Sequence, residues 1–478
     1  MKSGSQAVKR ALTFVSIIAF LSAPNSFAQT APQTGIGQKP AEHYFVKCKL
    51  LINPDTGQTI ENAVVEVSSG RIARVGKSAD FNLPVDARVL DYGDKFIIPG
   101  LVDTHGHFYG FLNFGHSVNE ALPPLYLAAG VTSVLSPGSG NPEGDLALKN
   151  RIDSGRAPGP RLFLAGEYLQ MAPSSVPWME TVATENEAKA KLDHWISRGA
   201  SAVKMYEGMK GDIMRATIAH AHLRGVKVNG HLGVTTWTEA IEMGIDVLHH
   251  GIYAFPEIEP EGMPPTALGM INFAPPEFDK YFKALAEADL TQPKVRAVFK
   301  AAAESKVVFV PTVVALAPYD RDLDHMPEQQ QFYAPDAWKK VEGRFQAEKK
   351  PYALLVMKKN LEFVRRAHEA GCLLSTGTDM TNFQLLPGYS LWREMDLFAE
   401  AGLKPMDVLK AATINGAFAI GRSDQLGSVE AGKLADFVIL NANPLENISH
   451  ARAVHRVVKG GVIYHPEEIL KSLKGRIH

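Results

Sequence analysis

The sequence predicts an α/β protein: a (β/α)8 barrel of the TIM type, with a small β-sandwich built from both ends of the chain. Three observations carry this. Short strand-like runs dominate before Gly100 ("YFVKCKLLI", "ENAVVEVSSGRIARVG", "ARVLDYGDKFIIPG") and return near the end in "LADFVIL" and "AVHRVVKGGVIY". Between them the rhythm changes to strand, loop, helix, with eight apolar strand candidates, the number that closes a parallel barrel. The length, 478 residues, accommodates one barrel-sized domain plus a smaller one.

Residues 1–28 read as a signal peptide. Lys2, Lys9 and Arg10 are followed by apolar Ala11–Ala23, and the small residues Ser26 and Ala28 suit cleavage after Ala28. The apolar run is short for a membrane span, so the expectation is an exported protein, periplasmic or secreted, with no stable anchor. A polar linker, 29–42, precedes the sandwich, expected from 43–97 and 424–468. The barrel is expected from 98–423. Its strands are Lys95–Thr104, "GVTSVLSPG", "PRLFLAGE", "ASAVKMYEG", "GVKVNGHLG", "GIDVLHHG", "KVVFVPTVV" and "GCLLSTGTD". Amphipathic stretches predict helices over Glu185–Arg198 and Gly211–Leu223, and a last helix over Pro405–Ile420. Two stretches, Ala254–Pro293 and Pro318–Lys350, exceed ordinary barrel loops and read equally as lids or as ornamental insertions.

Hydrophobic content of 45% with 21% charged residues fits a soluble globular protein. A net charge of −1 gives no footprint for nucleic acid or an anionic membrane, which leaves a small molecule or short peptide as partner. Cys48 and Cys372 lie in apolar runs and read as buried free thiols, too few to form a metal site.

Barrel chemistry gathers at the C-terminal ends of the strands. His105 and His107 end the first strand, one residue apart, so both project to one side. Lys204 lies on the fourth strand, His231 follows the fifth, His250 the sixth and Asp379 the eighth. A lysine inside apolar "AVKMY" is unusual, because burying an ammonium is costly without a partner. His220 and His222 fall on a predicted helix, and His249 is expected to point away from His250. His116 follows the first strand without a clear role, and Arg393 reads as structural.

"PGLVDTHGH", the fourth-strand lysine, the fifth- and sixth-strand histidines and the "STGTD" aspartate together resemble the amidohydrolase superfamily. The flanks agree, in "INPDTGQTIENAVVEVSSGRIARVG" and "AATINGAFAIG…LGSVEAGKLADFVILNANPLENI". The resemblance implies a binuclear centre of two divalent ions, Zn2+ by family habit. His105, His107 and Asp379 would hold one ion and His231 and His250 the other, with Lys204 bridging them as a CO2-derived carbamate. It further implies amide hydrolysis by a metal-bridging hydroxide with Asp379 as proton shuttle, on a dipeptide or N-acyl amino acid. Deaminase-like and imidazolone-ring chemistry fits less well, because "LGV" after His231 lacks the glutamate those branches carry. Lactone or phosphotriester hydrolysis on the same centre is the alternative, and a non-catalytic metal-binding protein a distant one. Tyr206, Tyr253 and Glu167 are the expected substrate contacts, and a homo-oligomer is compatible with the sequence.

Overall fold

Alternating β-branched and aromatic residues form long strands at the start of the chain, and the computed structural model shows where their two faces go. It describes residues 37–38, 43–108, 121–172, 174, 179–258, 275–319, 326–347, 353–380 and 386–477. One eight-stranded mixed sheet runs in the order Gly37–Gln38, Val462–Tyr464, Val454–Lys459, Phe437–Leu440, Val89–Pro99, His43–Asn53, Gln58–Ser68, Arg71–Lys77. Tyr44, Val46, Cys48, Ile97, Phe437 and Ile439 share one core. Their neighbours Ile98, Val438 and Leu440 join the main core, as the period of two requires. Both chain ends contribute, as expected. They make one continuous sheet folded around its own core rather than two separate sheets.

All eight predicted strands of the parallel series are present. Leu101–Asp103, Val131–Ser136 and Arg161–Leu164 form one sheet. Ala202–Met205, Lys227–Gly230, Val247–His249, Val308–Val310 and Leu373–Leu374 form another, edged by Tyr168–Met171 and Thr181–Val182. Every pairing in these two sheets is parallel. The strands are short and almost wholly buried, the signature of a parallel sheet covered on both faces. Backbone bonds tie the two sheets at both ends: Ser201 N–H to Leu164 O at 2.8 Å, and Thr104 N–H to Thr376 O at 3.1 Å.

Three elements differ from expectation. The predicted first strand, Lys95–Thr104, is cut at Gly100: residues up to Pro99 belong to the mixed sheet and Leu101 begins the parallel one. A Cβ at Gly100 would fall on the Thr132 side chain, so only glycine lets the chain cross there. Tyr168–Met171, not among the eight predicted strands, is a strand whose buried Gln170 accepts the Gly208 N–H at 2.6 Å. The last helix is two, Pro405–Ala411 and Ile414–Ala419. Between them the carbonyls of Ala411 and Ala412 turn to accept the strand amides of Thr376 (3.3 Å) and Val102 (2.8 Å), which interrupts the helical ladder.

Helices Glu185–Ser197 and Gly211–Leu223 lie where expected. The two long stretches are not bare loops: the first holds a helix at Pro275–Glu287, the second helices at Met326–Gln330 and Pro335–Ala347. The expected signal peptide and His116 lie outside the described residues. Among the described residues no helix is long and apolar enough to cross a membrane. Cys48 and Cys372 are free and buried.

Candidate metal centre

The ends of the first and eighth parallel strands are laced together through Asp103. Its buried carboxylate accepts the His105 N–H (3.0 Å), the Thr378 N–H (3.1 Å) and the Thr378 hydroxyl (2.6 Å). Burial pushes its pKa up to about 7, against the pull of those bonds. Asp379 N–H in turn donates to His105 O at 2.7 Å, and His107 N–H to Met380 O. Two strand ends far apart in sequence are thereby held in fixed register.

On this frame three ligand atoms converge. His107 Nε2 lies 3.2 Å from His105 Nε2 and 3.2 Å from Asp379 Oδ1, and His105 Nε2 lies 3.4 Å from the same oxygen. His107 Nδ1 faces the Gly138 carbonyl at 3.0 Å, so it carries the hydrogen and leaves Nε2 as a lone pair. Among the described residues, His105, His107 and Asp379 are the group able to hold a metal ion. Lone pairs and a carboxylate oxygen converging on one point are the donor set of a divalent cation.

The remaining predicted ligands surround this group. Lys204 is 1% exposed and its Nζ has no hydrogen-bond partner. Burial lowers its pKa to about 7, although the charges of Asp379 and Glu207 work in the other direction. The neutral amine is therefore well populated at neutral pH, the form that reacts with CO2. His231 follows its strand, with its ring 4.3 Å from that of His250, and its Nε2 also has no hydrogen-bond partner. His250 Nδ1 lies 2.8 Å from the Tyr253 hydroxyl, 3.1 Å from Thr312 Oγ1 and 3.9 Å from Asp379 Oδ2. His105, His231, His249 and His250 all have pKa values well below the ordinary histidine range, chiefly through burial and then through neighbouring charge. They are neutral imidazoles, the form that binds metal.

Backbone conformation concentrates here. His250 (φ 81°), Thr312 (φ 45°) and Asp379 (φ 56°) are all left-handed without being glycine. His250 and Thr312 stand within two residues of their strand ends and Asp379 five residues beyond Leu374, in segments where such strain accompanies function. At His250 the kink breaks the alternation of the strand. His249, expected to face away, is instead fully buried with its Nδ1 2.8 Å from His105 Nδ1. Gly377 supplies the close approach between the eighth and first strands, since a Cβ there would fall on Val310 and 2.9 Å from His105 Cβ. Gly377→Ala is expected to cost about 1–3 kcal/mol by overpacking and to displace His105. Thermal melts and metal content of the purified variant check this.

The expected substrate contacts fare differently. Tyr206 is buried against His231, ring to ring at 4.8 Å, and against Tyr168 at 5.2 Å. The Tyr253 hydroxyl is engaged by His250 and by Thr312 Oγ1 at 2.6 Å. Glu167 forms an ion pair with Lys191 at 2.6 Å rather than meeting the histidines. His220 and His222 pair with Asp193 and Asp246 on the helix side, and Arg393 with Glu400. Glu207 was missed: it is fully buried, with Oε1 3.7 Å from His231 Nε2. The signal lay in the sequence, a carboxylate three residues after Lys204 at an apolar strand's end.

Comparison with known proteins points one way. The amidohydrolase family model matches residues 282–464. An imidazolonepropionase of Phocaeicola vulgatus is 34% identical over 123 residues, 24% of this chain and 28% of that protein. An ochratoxinase of Aspergillus niger is 24% identical over 472 residues, covering 87% of this chain and 85% of that protein. The matches span under half the length of the first curated relatives, 40% and 28%. A Xaa-Pro dipeptidase crystal structure with methionine in its active site superposes with a TM-score of 0.66 at 20% identity, covering 88% of this chain and all of that one. That last likeness concerns the fold.

Proposed function

We propose, from the match of residues 282–464 to the amidohydrolase family model, that this chain is a metal-dependent hydrolase of that family cleaving an amide bond, in a dipeptide or an N-acyl amino acid. The observation that carries the reading is the convergence of His105, His107 and Asp379 beside a buried Lys204 whose Nζ has no hydrogen-bond partner. His105, His107 and Asp379 would hold one ion and His231 and His250 a second, with Lys204 as a carbamate between them. Lys204 suits that modification: a carbamate adds two oxygen acceptors where the amine now has no bond. Divalent ions held there, Zn2+ by the nitrogen-rich donor set, supply Lewis acidity that acidifies water and polarises a carbonyl.

The chain's own groups do the rest. Asp379 presents Oδ1 to the two first-strand histidines and Oδ2 toward His250. It is the carboxylate placed to take a proton from the attacking water and return it to the leaving nitrogen. Its left-handed backbone and its N–H bond to His105 O hold it at this position. Tyr253 and Thr312 hold His250 by its Nδ1, and Tyr206 walls the site against His231. Of the expected substrate contacts, Tyr206 alone is retained in this reading. In the same reading the two parallel sheets close into one eight-stranded barrel, which the Ser201–Leu164 and Thr104–Thr376 bonds support. Export through residues 1–28 also belongs to it, supported by the basic start and the apolar run.

The test is amine release by the purified, Zn2+-supplied protein. The panel holds dipeptides, Xaa-Pro dipeptides among them, beside N-acyl amino acids, lactones and phosphotriesters. Cleavage of an amide is the expected result. Turnover of lactones or phosphotriesters with every amide untouched would overturn it.

A further inference from the structure

Behind His105 stands a buried row of polar groups for which the proposed chemistry has no use. His249 Nδ1 is 2.8 Å from His105 Nδ1, with the rings perpendicular at 4.5 Å between centroids. His249 Nε2 is 3.0 Å from Asn229 Oδ1, and the Asn229 amide donates from Nδ2 to Val203 O at 3.4 Å. His249 and Asn229 are both 0% exposed.

One arrangement of hydrogens satisfies the three contacts of this row between neutral groups, and it leaves the Nε2 lone pairs of His105 and His107 facing each other across the site. The Val203 carbonyl only accepts, so Asn229 turns its NH2 to it and its oxygen to His249. His249 Nε2 must then carry a hydrogen, which leaves its Nδ1 as a lone pair. His105 Nδ1 supplies the hydrogen to that lone pair, and His105 Nε2 is left bare. That bare nitrogen is the one beside His107 Nε2 and Asp379 Oδ1. Reversing the row would set the His249 Nε2 lone pair against the Asn229 oxygen, an unmade bond in a buried site.

We propose that Asn229 and His249 are positioning residues that fix the tautomer and ring plane of His105 so that Nε2 is its ligand atom. The inference rests on the reading of His105 as a metal ligand. His107 reaches the same state with one carbonyl, that of Gly138. His105 has a three-residue row drawn from the fourth, fifth and sixth parallel strands. The left-handed kink at His250 makes the row geometrically available, because it keeps both consecutive histidines inside. Partners of this kind orient a ligand's ring and raise its basicity, and losing one costs ~10–100-fold in metal affinity.

Two measurements on the full chain decide it. In metal-free protein with 15N-labelled histidine, long-range 1H–15N correlation should show His105 protonated at Nδ1 and His249 at Nε2. His105 protonated at Nε2 would overturn the proposal, and this needs no variant to fold. Competition titration with Zn2+ should show His249→Phe weakened ~10–100-fold at one site. His249→Asn, whose amide oxygen takes the place of Nδ1, should recover most of that loss. Wild-type affinity in His249→Phe would overturn the proposal. A wild-type chain that binds no Zn2+ at all would instead overturn the metal reading beneath it, and the tautomer spectrum separates the two failures.

Discussion

Asp379→Asn should lower amide turnover by at least ~10²–10⁴-fold, the range lost with a positioned acid–base group. Asparagine keeps the shape and an oxygen donor but cannot carry a proton to the leaving nitrogen. It is also the substitution the backbone tolerates best: Asp379 sits at φ 56°, a conformation that asparagine adopts with little penalty. The N–H bond from this position to His105 O is a backbone bond and survives. The variant should therefore melt close to wild type while kcat/KM collapses. Turnover within a few-fold of wild type, with the fold intact, would remove Asp379 from the chemistry.

Lys204→Met is expected to act in opposite directions on activity and stability. In the chelator-treated protein, wild-type Nζ is buried without a hydrogen-bond partner, and leaving such a group unsatisfied costs about 1–3 kcal/mol. Methionine fills similar space with no polar atom to satisfy, so the metal-free variant should resist denaturant better. The gain depends on pH. Lys204 titrates near 7 when folded and near its ordinary 10.5 when unfolded, so the unfolded chain holds more protons between those values. Wild-type stability therefore rises with pH across that window, and the advantage of the variant shrinks as it does. Activity should fall as well, because the proposed centre loses Lys204. Denaturation midpoints at pH 7 and pH 9, with and without chelator, check the sign. A metal-free variant less stable than wild type at pH 7 would show that the ammonium has a stabilising role.

The two outcomes follow from features of unequal legibility. Continuous apolar runs ending in glycine or a polar residue marked all eight parallel strands, since such strands are buried on both faces. Because barrel chemistry gathers at strand ends, position selects His105, His107, Lys204, His231, His250 and Asp379 as candidates, and His105, His107 and Asp379 converge in the structure. What escaped depends on partners distant in sequence. Gly100 cuts a run that reads as one strand, because Thr132 leaves no room for a side chain. Thr376 and Val102 take the carbonyls that would have continued the helix past Ala411. His249 was expected to face away by strict alternation, and the left-handed turn at His250 suspends that rule for one residue. Glu167 reads as a substrate contact in the sequence, and its ion pair with Lys191, on the next helix, depends on a partner the local sequence does not show.

The measurement that reaches furthest is amide turnover followed while divalent metal is removed by chelator and titrated back. Turnover should vanish with the metal, return on addition of Zn2+, and saturate at two ions per chain. Full turnover in protein stripped of divalent metal would contradict a centre built from His105, His107, Lys204, His231, His250 and Asp379.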